Sequence, residues 1–420
     1  MAKIKQVTAR EILNAKGNPT IETTVTLNDG KSGTASCPSG TSVGNYEASE
    51  LKDHDEKHFL GNGVLKAISN INEIITPAIL GLEATKQQDV DKRMIELDGT
   101  QNKSRLGANA ILSVSMAVAK AAAKSSLLPT FLYLREFVKK EGTVIKIPTP
   151  LFNILNGGRH AGENSDFQEF MVIPASSKSY SESLNMAVNL YDSLRNTLAQ
   201  NNMTTLIGDE GGFAPTLPTN KEGLELLRQA IQSTQFRYGF DVFLGLDAAA
   251  TNFFHEGKYR IKDKAMQLSP NDMISFYEEI NKDFHLLYLE DPLAEDDWDG
   301  WSKIAGSLTE QTLIVGDDLT ATNPYRLQMA LDKKAITGII IKPNQIGTVI
   351  EALAVVEVAR QAGIKIIVSH RSGETNDDFI ADFAVAVSAD YAKFGSPARG
   401  ERVAKYNRLL EIEKEIKSLS

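Results

Sequence analysis

The sequence predicts an α/β protein: an eight-stranded β/α barrel preceded by a smaller α+β capping unit. Three observations carry that expectation. The chain has 420 residues, beyond the roughly 250–300 at which a single hydrophobic core stops growing, so at least two packed units are expected. A polar stretch punctuated by prolines, Lys139-Lys140-Glu141-Gly142 with Pro148 and Pro150 just beyond, suits a domain junction. Past it, short apolar runs end in polar or charged residues and alternate with helical segments over roughly 280 residues, near the ~250 of a typical barrel. The capping unit is placed at residues 1–139 and the barrel at 140–420.

Residues 20–27 alternate Ile21, Thr23, Val25 and Leu27 with Thr20, Glu22, Thr24 and Thr26, then turn at Asn28-Asp29-Gly30-Lys31, which reads as a β-hairpin. Val64, Ala67, Ile68, Ile71, Ile74 and Ile75 recur at helical spacing, and 108–124 is an Ala-rich helix carrying Ile111, Leu112, Val114 and Met116. Beyond residue 140, five apolar runs close on Asp247, Glu290, Asp317, Lys342 and His370, roughly 25 to 43 residues apart, the step of strand–helix–strand units. Such runs suit a parallel sheet buried on both faces. Helices are expected over 273–280, introduced by Ser269-Pro270, and over 350–359, stopping before Gly363. A doubly wound sheet would show a glycine fingerprint after its first strand. Gly61-Asn62-Gly63 follows no clear strand, ends its pattern in Lys66 and reads as a turn.

With 42% apolar and 24% charged residues, the composition is that of a globular chain. The longest mostly apolar stretch, 110–119, holds two serines and stops at Lys120, short of the ~20 residues of a membrane span. The first six residues lack the apolar core of a secretory signal and Cys37 has no second cysteine, so a cytoplasmic location is expected. A net charge of −9, with no basic cluster longer than Lys139-Lys140, argues against nucleic acid as a partner.

Barrel enzymes carry their sites at the carboxyl ends of the strands. Asp247, Glu290 and Asp317 meeting there would repel one another in a partly desolvated mouth, and a divalent cation resolves the conflict. Oxygen-only ligands suit Mg²⁺ better than zinc. The competing reading, that these acids are caps or salt-bridge partners, weakens when three stand at successive strand ends. Lys342 ends an Ile-Ile-Ile run, and among metal ions and other cations its pKa should fall from ~10.4 toward working pH, making it a general base. His370-Arg371-Ser372-Gly373-Glu374 and Lys393 supply the charge and donors to hold a phosphate or carboxylate. The glycine-flanked loops 156–162 and 208–212 read equally as plain turns or as ligand-approaching backbone. The pair His54 and His58 is not HExxH and reads as a solvated face, and Cys37 as a small buried or loop residue. Residues 38–44 are a flexible link or a lid.

Pro38-Ser39-Gly40, Asn156-Gly157-Gly158 with His160, Gln168-Glu169-Phe170, Gly208-Asp209-Glu210-Gly211-Gly212, Glu290-Asp291-Pro292, Asp317-Asp318-Leu319, Lys342 with Asn344-Gln345-Ile346-Gly347, and the run from Ser369 to Glu374 resemble the motifs of the enolase family. They do so in order and along nearly the whole chain. The resemblance implies a barrel that starts strand-strand-helix-helix with one antiparallel strand, and reversible dehydration of 2-phosphoglycerate to phosphoenolpyruvate in glycolysis. It also implies a homodimer or octamer with two Mg²⁺ per active site. By the same resemblance Asp247, Glu290 and Asp317 would hold the first Mg²⁺, and Ser42 would help hold the second. Lys342 would take the carbon-2 proton, and Glu210, supported by Glu169, would protonate the leaving hydroxyl. Gln168, Arg371, Ser372 and Lys393 would contact substrate, with His160 and His370 near its phosphate and hydroxyl.

The chain departs from the family pattern at Asn14-Ala15-Lys16 (commonly Asp-Ser-Arg), Val43 (Thr), Lys52 (Arg), Asn252 (Glu) and Phe394 (Thr), outside the catalytic and metal positions. Two other readings remain at this stage. One is another proton-abstracting member of the superfamily. The other is a non-catalytic structural or surface-binding protein on the same fold, with a secondary cell-surface or secreted pool.

Overall fold

The computed structural model describes residues 2–40, 44–139 and 144–419. Its N-terminal unit is built on β1 (Ile4–Leu13), β2 (Pro19–Leu27) and β3 (Ser32–Ser36), antiparallel in that order. The predicted hairpin is β2–β3, with Ile21, Thr23, Val25 and Leu27 buried. β1 was not anticipated. It is an edge strand in which only Ile4 and Val7 are buried, so it lacks the alternation that betrays a half-buried strand.

The buried face of the sheet receives the helix Ala108–Ser125. A Cβ on Gly33 would stand 2.3 Å from Ala121 N, so the helix lies directly on the strand at this point. The helix is buried on nearly all sides because its other flank meets the barrel, where Val349 N donates to Ser115 Oγ at 3.1 Å and Lys120 pairs with Asp377 at 2.9 Å. Residues 65–75 are helical as expected, capped by Val64, with a π turn over Ile71–Ile75 ahead of Pro77.

The barrel strands are β4 (Thr149–Asn156), β5 (Glu169–Pro174) and β6 (Val242–Asp247), then, after a small hairpin of β7 (Phe254–His255) and β8 (Lys258–Tyr259), β9 (Tyr288–Glu290), β10 (Leu313–Gly316), β11 (Gly338–Ile341), β12 (Lys365–Ser369) and β13 (Tyr391–Lys393). They close in the order β4-β5-β6-β9-β10-β11-β12-β13. All neighbours are parallel except β5, which runs against both β4 and β6. The helices Tyr180–Gln200 and Asn220–Gln232 separate β5 from β6, completing the strand-strand-helix-helix start. The two helices expected from the sequence lie within Pro270–Phe284, which opens on a Ser269–Asp272 capping box, and Val349–Gln361. Leu151, Met171, Ile173, Tyr288, Val315, Ile340 and Ile367 plug the barrel interior. Each such side chain contributes on the order of 1.5–3 kcal/mol of burial. Among the described residues no helix is long and apolar enough to cross a membrane.

Candidate active site

Side chains two residues along a strand share a face, so the apolar plug dictates what lies above it. Beyond Leu151, Tyr288, Val315, Ile340, Ile367 and Tyr391 come Asn153, Glu290, Asp317, Lys342, Ser369 and Lys393. β5 runs backwards, so its first residue, Glu169, joins this layer in register with Asp247, which in turn pairs with Glu290. A ring of ionisable groups thus caps an apolar core at the carboxyl end of the barrel. The cavity above it is lined by His160, Gln168, Glu169, Glu210, Asp247, Asp317, Lys342, His370, Arg371, Ser372 and Lys393. Glu290 is fully buried and connects to the cavity through Lys393. Ser42 and Val43 lie outside the described residues.

Lys393 Nζ binds Glu290 at 2.8 and 2.9 Å, Asp247 at 3.2 Å and Glu169 at 3.2 Å. Burial, then Asp247, pushes the Glu290 carboxyl up to about 8, and the Tyr288 hydroxyl donates to it. Lys393 is opposed by burial, but its three acids outweigh that and hold it well above its ordinary value. Asp317 pairs directly with Lys342 and accepts Gln345 Nε2 at 3.1 Å. Burial raises the Asp317 carboxyl, yet Lys342 and Lys393 bring it below its ordinary value.

The expected fall of the Lys342 ammonium belongs to a mouth that holds metal ions; here Asp317 faces the amine instead. Burial lowers it, but contact with Asp317 outweighs burial and the nearby Arg371 and Lys393, so Lys342 stands above its ordinary value as an ammonium. A fall requires Asp317 to be engaged by another cation.

Among the described residues, three groups bring one His or carboxylate donor each within 4.8 Å: Glu11–Asp53–His58, His160–Glu169–Glu210 and Asp291–Asp317–Asp318. The trio Asp247, Glu290 and Asp317 is not one of them, because Lys393 draws two of its members and Lys342 the third. Its donor set nonetheless fits a hard divalent ion: three buried, oxygen-only carboxylates on adjacent strands, balanced by ammonium groups that stand where a cation would. Asp291 and Asp318 extend the acidic side. Burial and neighbouring acids raise both, Asp318 to about 7.

The loop 208–212 brings Glu210 to the opposite flank. Gly211 there has φ 87°, and a Cβ would lie 3.0 Å from Ala398 O, so any other residue would be strained. Glu210 accepts from Asn153 Nδ2 at 2.9 Å and faces His160 Nδ1 at 3.5 Å and His370 Nε2 at 3.3 Å. Burial raises its carboxyl, yet His160, His370 and Arg402 hold it well below the usual range. Burial also pushes both histidines below their ordinary value, His370 to about 4. Neither nitrogen that faces Glu210, His160 Nδ1 or His370 Nε2, is in line for a hydrogen bond to it, and the fixed positive charge on this flank is that of Arg402. Glu169 behaves oppositely: burial outweighs Lys393 and, with Glu210, Asp247 and Glu290 nearby, pushes it well above its ordinary value. The two carboxyls of the Glu169–Glu210 pair are thus pushed in opposite directions, with His160 beside both.

Arg371 makes a bidentate contact with Glu47, at 2.7 and 3.2 Å, and crosses beneath Gly40, where a Cβ would meet its guanidinium at 1.9 Å. Glu47, Asp291, Asp318 and Ser369 line the cavity but were assigned no role from the sequence. The signal existed for Asp291 and Asp318, inside the Glu-Asp-Pro and Asp-Asp-Leu motifs. For Glu47, some 320 residues from Arg371, there was none. Of the departures, Lys16 pairs with Asp209 at 2.5 Å, tying the capping unit to the Glu210 loop, and Phe394 is buried against Tyr406. Of the decoys, Cys37 is buried, His54 is exposed, and His58 departs from a purely solvated reading by pairing with Glu11 at 2.8 Å.

Comparison with known families returns two matches, described as Enolase, N-terminal domain, over residues 4–134, and Enolase, C-terminal TIM barrel domain, over residues 144–420. With one antiparallel strand in the closed barrel and this charged rim above it, the matches over nearly the whole length establish that the chain belongs to the enolase family.

Proposed function

We propose that this chain is a hydro-lyase that interconverts 2-phospho-D-glycerate and phosphoenolpyruvate in glycolysis and gluconeogenesis. The observation that carries the reading is one cavity with an amine, Lys342, on one flank and, on another, two carboxyls, Glu210 and Glu169, whose surroundings push them in opposite directions. In dehydration, Lys342 would take the proton from carbon 2, the C2–C3 double bond would form, and the C3–O bond would break with the hydroxyl leaving as water. The proton for that water would come through Glu210 from the proton-holding side of the pair, Glu169 with His160. In the reverse direction the ionised Glu210 suits activation of water. Gln168, Arg371, Ser372 and Lys393 would hold the substrate, with His160 and His370 near its phosphate and hydroxyl.

The substrate carries about −3, and proton removal drives it to roughly −4. Asp247, Glu290 and Asp317 would hold one Mg²⁺ and Ser42 would contribute to a second. Bound there, two Mg²⁺ would supply positive charge to offset these acids, so that with Arg371 and Lys393 about three positive charges would face the enolate. The ring of buried charge also supports an enzyme over a purely structural protein, since a core built only for stability gains little from it. We further place the domain boundary between residues 139 and 140, the protein in the cytoplasm, and its assembly as a homodimer or octamer.

The test is a direct assay of the absorbance of the enol phosphate, with and without a chelator. Turnover that is lost with chelator and restored by Mg²⁺ supports the reading, and no turnover with Mg²⁺ present sinks it.

A further inference from the structure

Arg402, on the C-terminal helix Gly400–Leu419, is fully buried and makes no direct contact with the cavity. Its Nη1 lies 2.7 Å from His370 Nδ1 and 2.7 Å from the Arg371 carbonyl, and its Nη2 donates to the carbonyls of Ser372 at 2.7 Å and Asp209 at 3.3 Å. One guanidinium therefore bridges the segment that carries His370 and the loop that carries Glu210. A guanidinium has donors only, so the His370 Nδ1 facing it must present a lone pair. The ring proton then sits on Nε2, which faces Glu210 Oε2 across 3.3 Å without the alignment of a hydrogen bond and has no other partner. An imidazolium would set two N–H groups against each other across 2.7 Å.

We propose that Arg402 is a positioning residue that locks His370 in its neutral Nε2–H tautomer and thereby keeps a fixed donor facing the Glu210 carboxylate. His370 in this state orients Glu210 and does not itself store the proton for the leaving group. That proton must be held on the Glu169 and His160 side. The consequence for turnover rests on the hydro-lyase reading, while the tautomer does not.

The experiment is nitrogen-15 NMR of the whole enzyme with labelled histidine, without substrate, the His370 ring being assigned by its loss in His370→Gln. The charged and titratable groups facing that ring are Glu210 from its loop, Glu374 from its own segment and Arg402 from the terminal helix, with His160 beyond Glu210. The expected spectrum has a protonated Nε2 and a pyridine-like Nδ1, unchanged from pH 8 to pH 6. A protonated Nδ1 or an imidazolium at pH 7 overturns the proposal, whatever the activity.

Arg402→Lys keeps the charge and loses the fork. It should release the tautomer and let His370 titrate near its ordinary value. It should also leave exchange of the carbon-2 proton with deuterated water within about threefold, while slowing dehydration by on the order of 10²-fold. Equal losses in both reactions, or an unchanged tautomer, overturn it. If Arg402→Lys does not fold, the wild-type spectrum alone decides. A wild-type enzyme with the expected tautomer but no action on 2-phosphoglycerate would instead refute the reaction and leave the tautomer standing.

Discussion

Replacing Lys393 with methionine should destabilise the barrel strongly, and by an amount that grows with pH. The lysine is the common partner of Glu290, Asp247 and Glu169, at 2.8 to 3.3 Å, with every member almost wholly buried. Removing one partner of a buried ion pair typically costs about 3–5 kcal/mol, because the abandoned charge stays out of water. Here three charges are abandoned. They do not all remain charged, since Glu290 and Glu169 already stand above their ordinary values and would take up protons more readily still. A carboxyl whose folded pKa is raised contributes stability at low pH and loses it as pH rises through that pKa. The loss should therefore be smallest near pH 5 and approach the full ~3–5 kcal/mol above pH 8. Urea unfolding followed by tryptophan fluorescence reads this directly. Both tryptophans, Trp298 and Trp301, belong to the barrel helix Trp298–Leu308, so the signal reports the barrel and not the capping unit. A pH-independent loss, or one below about 1 kcal/mol at pH 8, would refute the argument that the rim is held by this lysine.

Other perturbations separate the remaining elements. Lys342→Ala should abolish exchange of the carbon-2 proton, with a loss of at least ~10²–10⁴ in rate, whereas Glu210→Gln should spare exchange and stop dehydration; solvent-deuterium incorporation distinguishes them, and normal turnover by Lys342→Ala would remove it as the base. Burial raises Asp91 to about 7 in the folded chain against 3.8 for its free carboxyl. Its contribution is thus complete below pH 4 and lost as pH climbs through 7, a swing of about 4 kcal/mol. Asp91→Asn should gain that much relative to wild type between pH 4 and pH 8 in thermal unfolding, and a constant difference would count against it. Gly33→Val should destabilise the capping unit by at least ~1–3 kcal/mol, because its new Cβ would sit 2.3 Å from Ala121 N; circular dichroism of the melt tests this.

What the sequence revealed follows from how local each signal is. Asp247, Glu290, Asp317, Lys342 and His370 were legible because an apolar strand and the polar residue that ends it are contiguous. Glu169 opens a strand whose six residues are all buried, so no alternation marked its direction. Its place on the rim came from motif resemblance and not from periodicity. Contacts such as Glu47 with Arg371, or Lys16 with Asp209, join positions hundreds of residues apart and leave no local trace. The place of Lys342 was legible too, whereas its charge was not, because an amine's affinity for protons depends on whether Asp317 faces it or a metal.

The inverted course of β5 has an effect on connectivity that reaches the chemistry. A chain that descends once inside an otherwise ascending barrel ends at the floor, beside the start of the next ascending strand, so a short hairpin could join the two, and any longer excursion must return to the floor. This chain makes that excursion with two helices between β5 and β6, and the bend joining them emerges at the mouth. That bend carries Glu210. The acid at this rim is thus supplied by no strand at all, but by a detour that a hairpin between the same two strands would have left out.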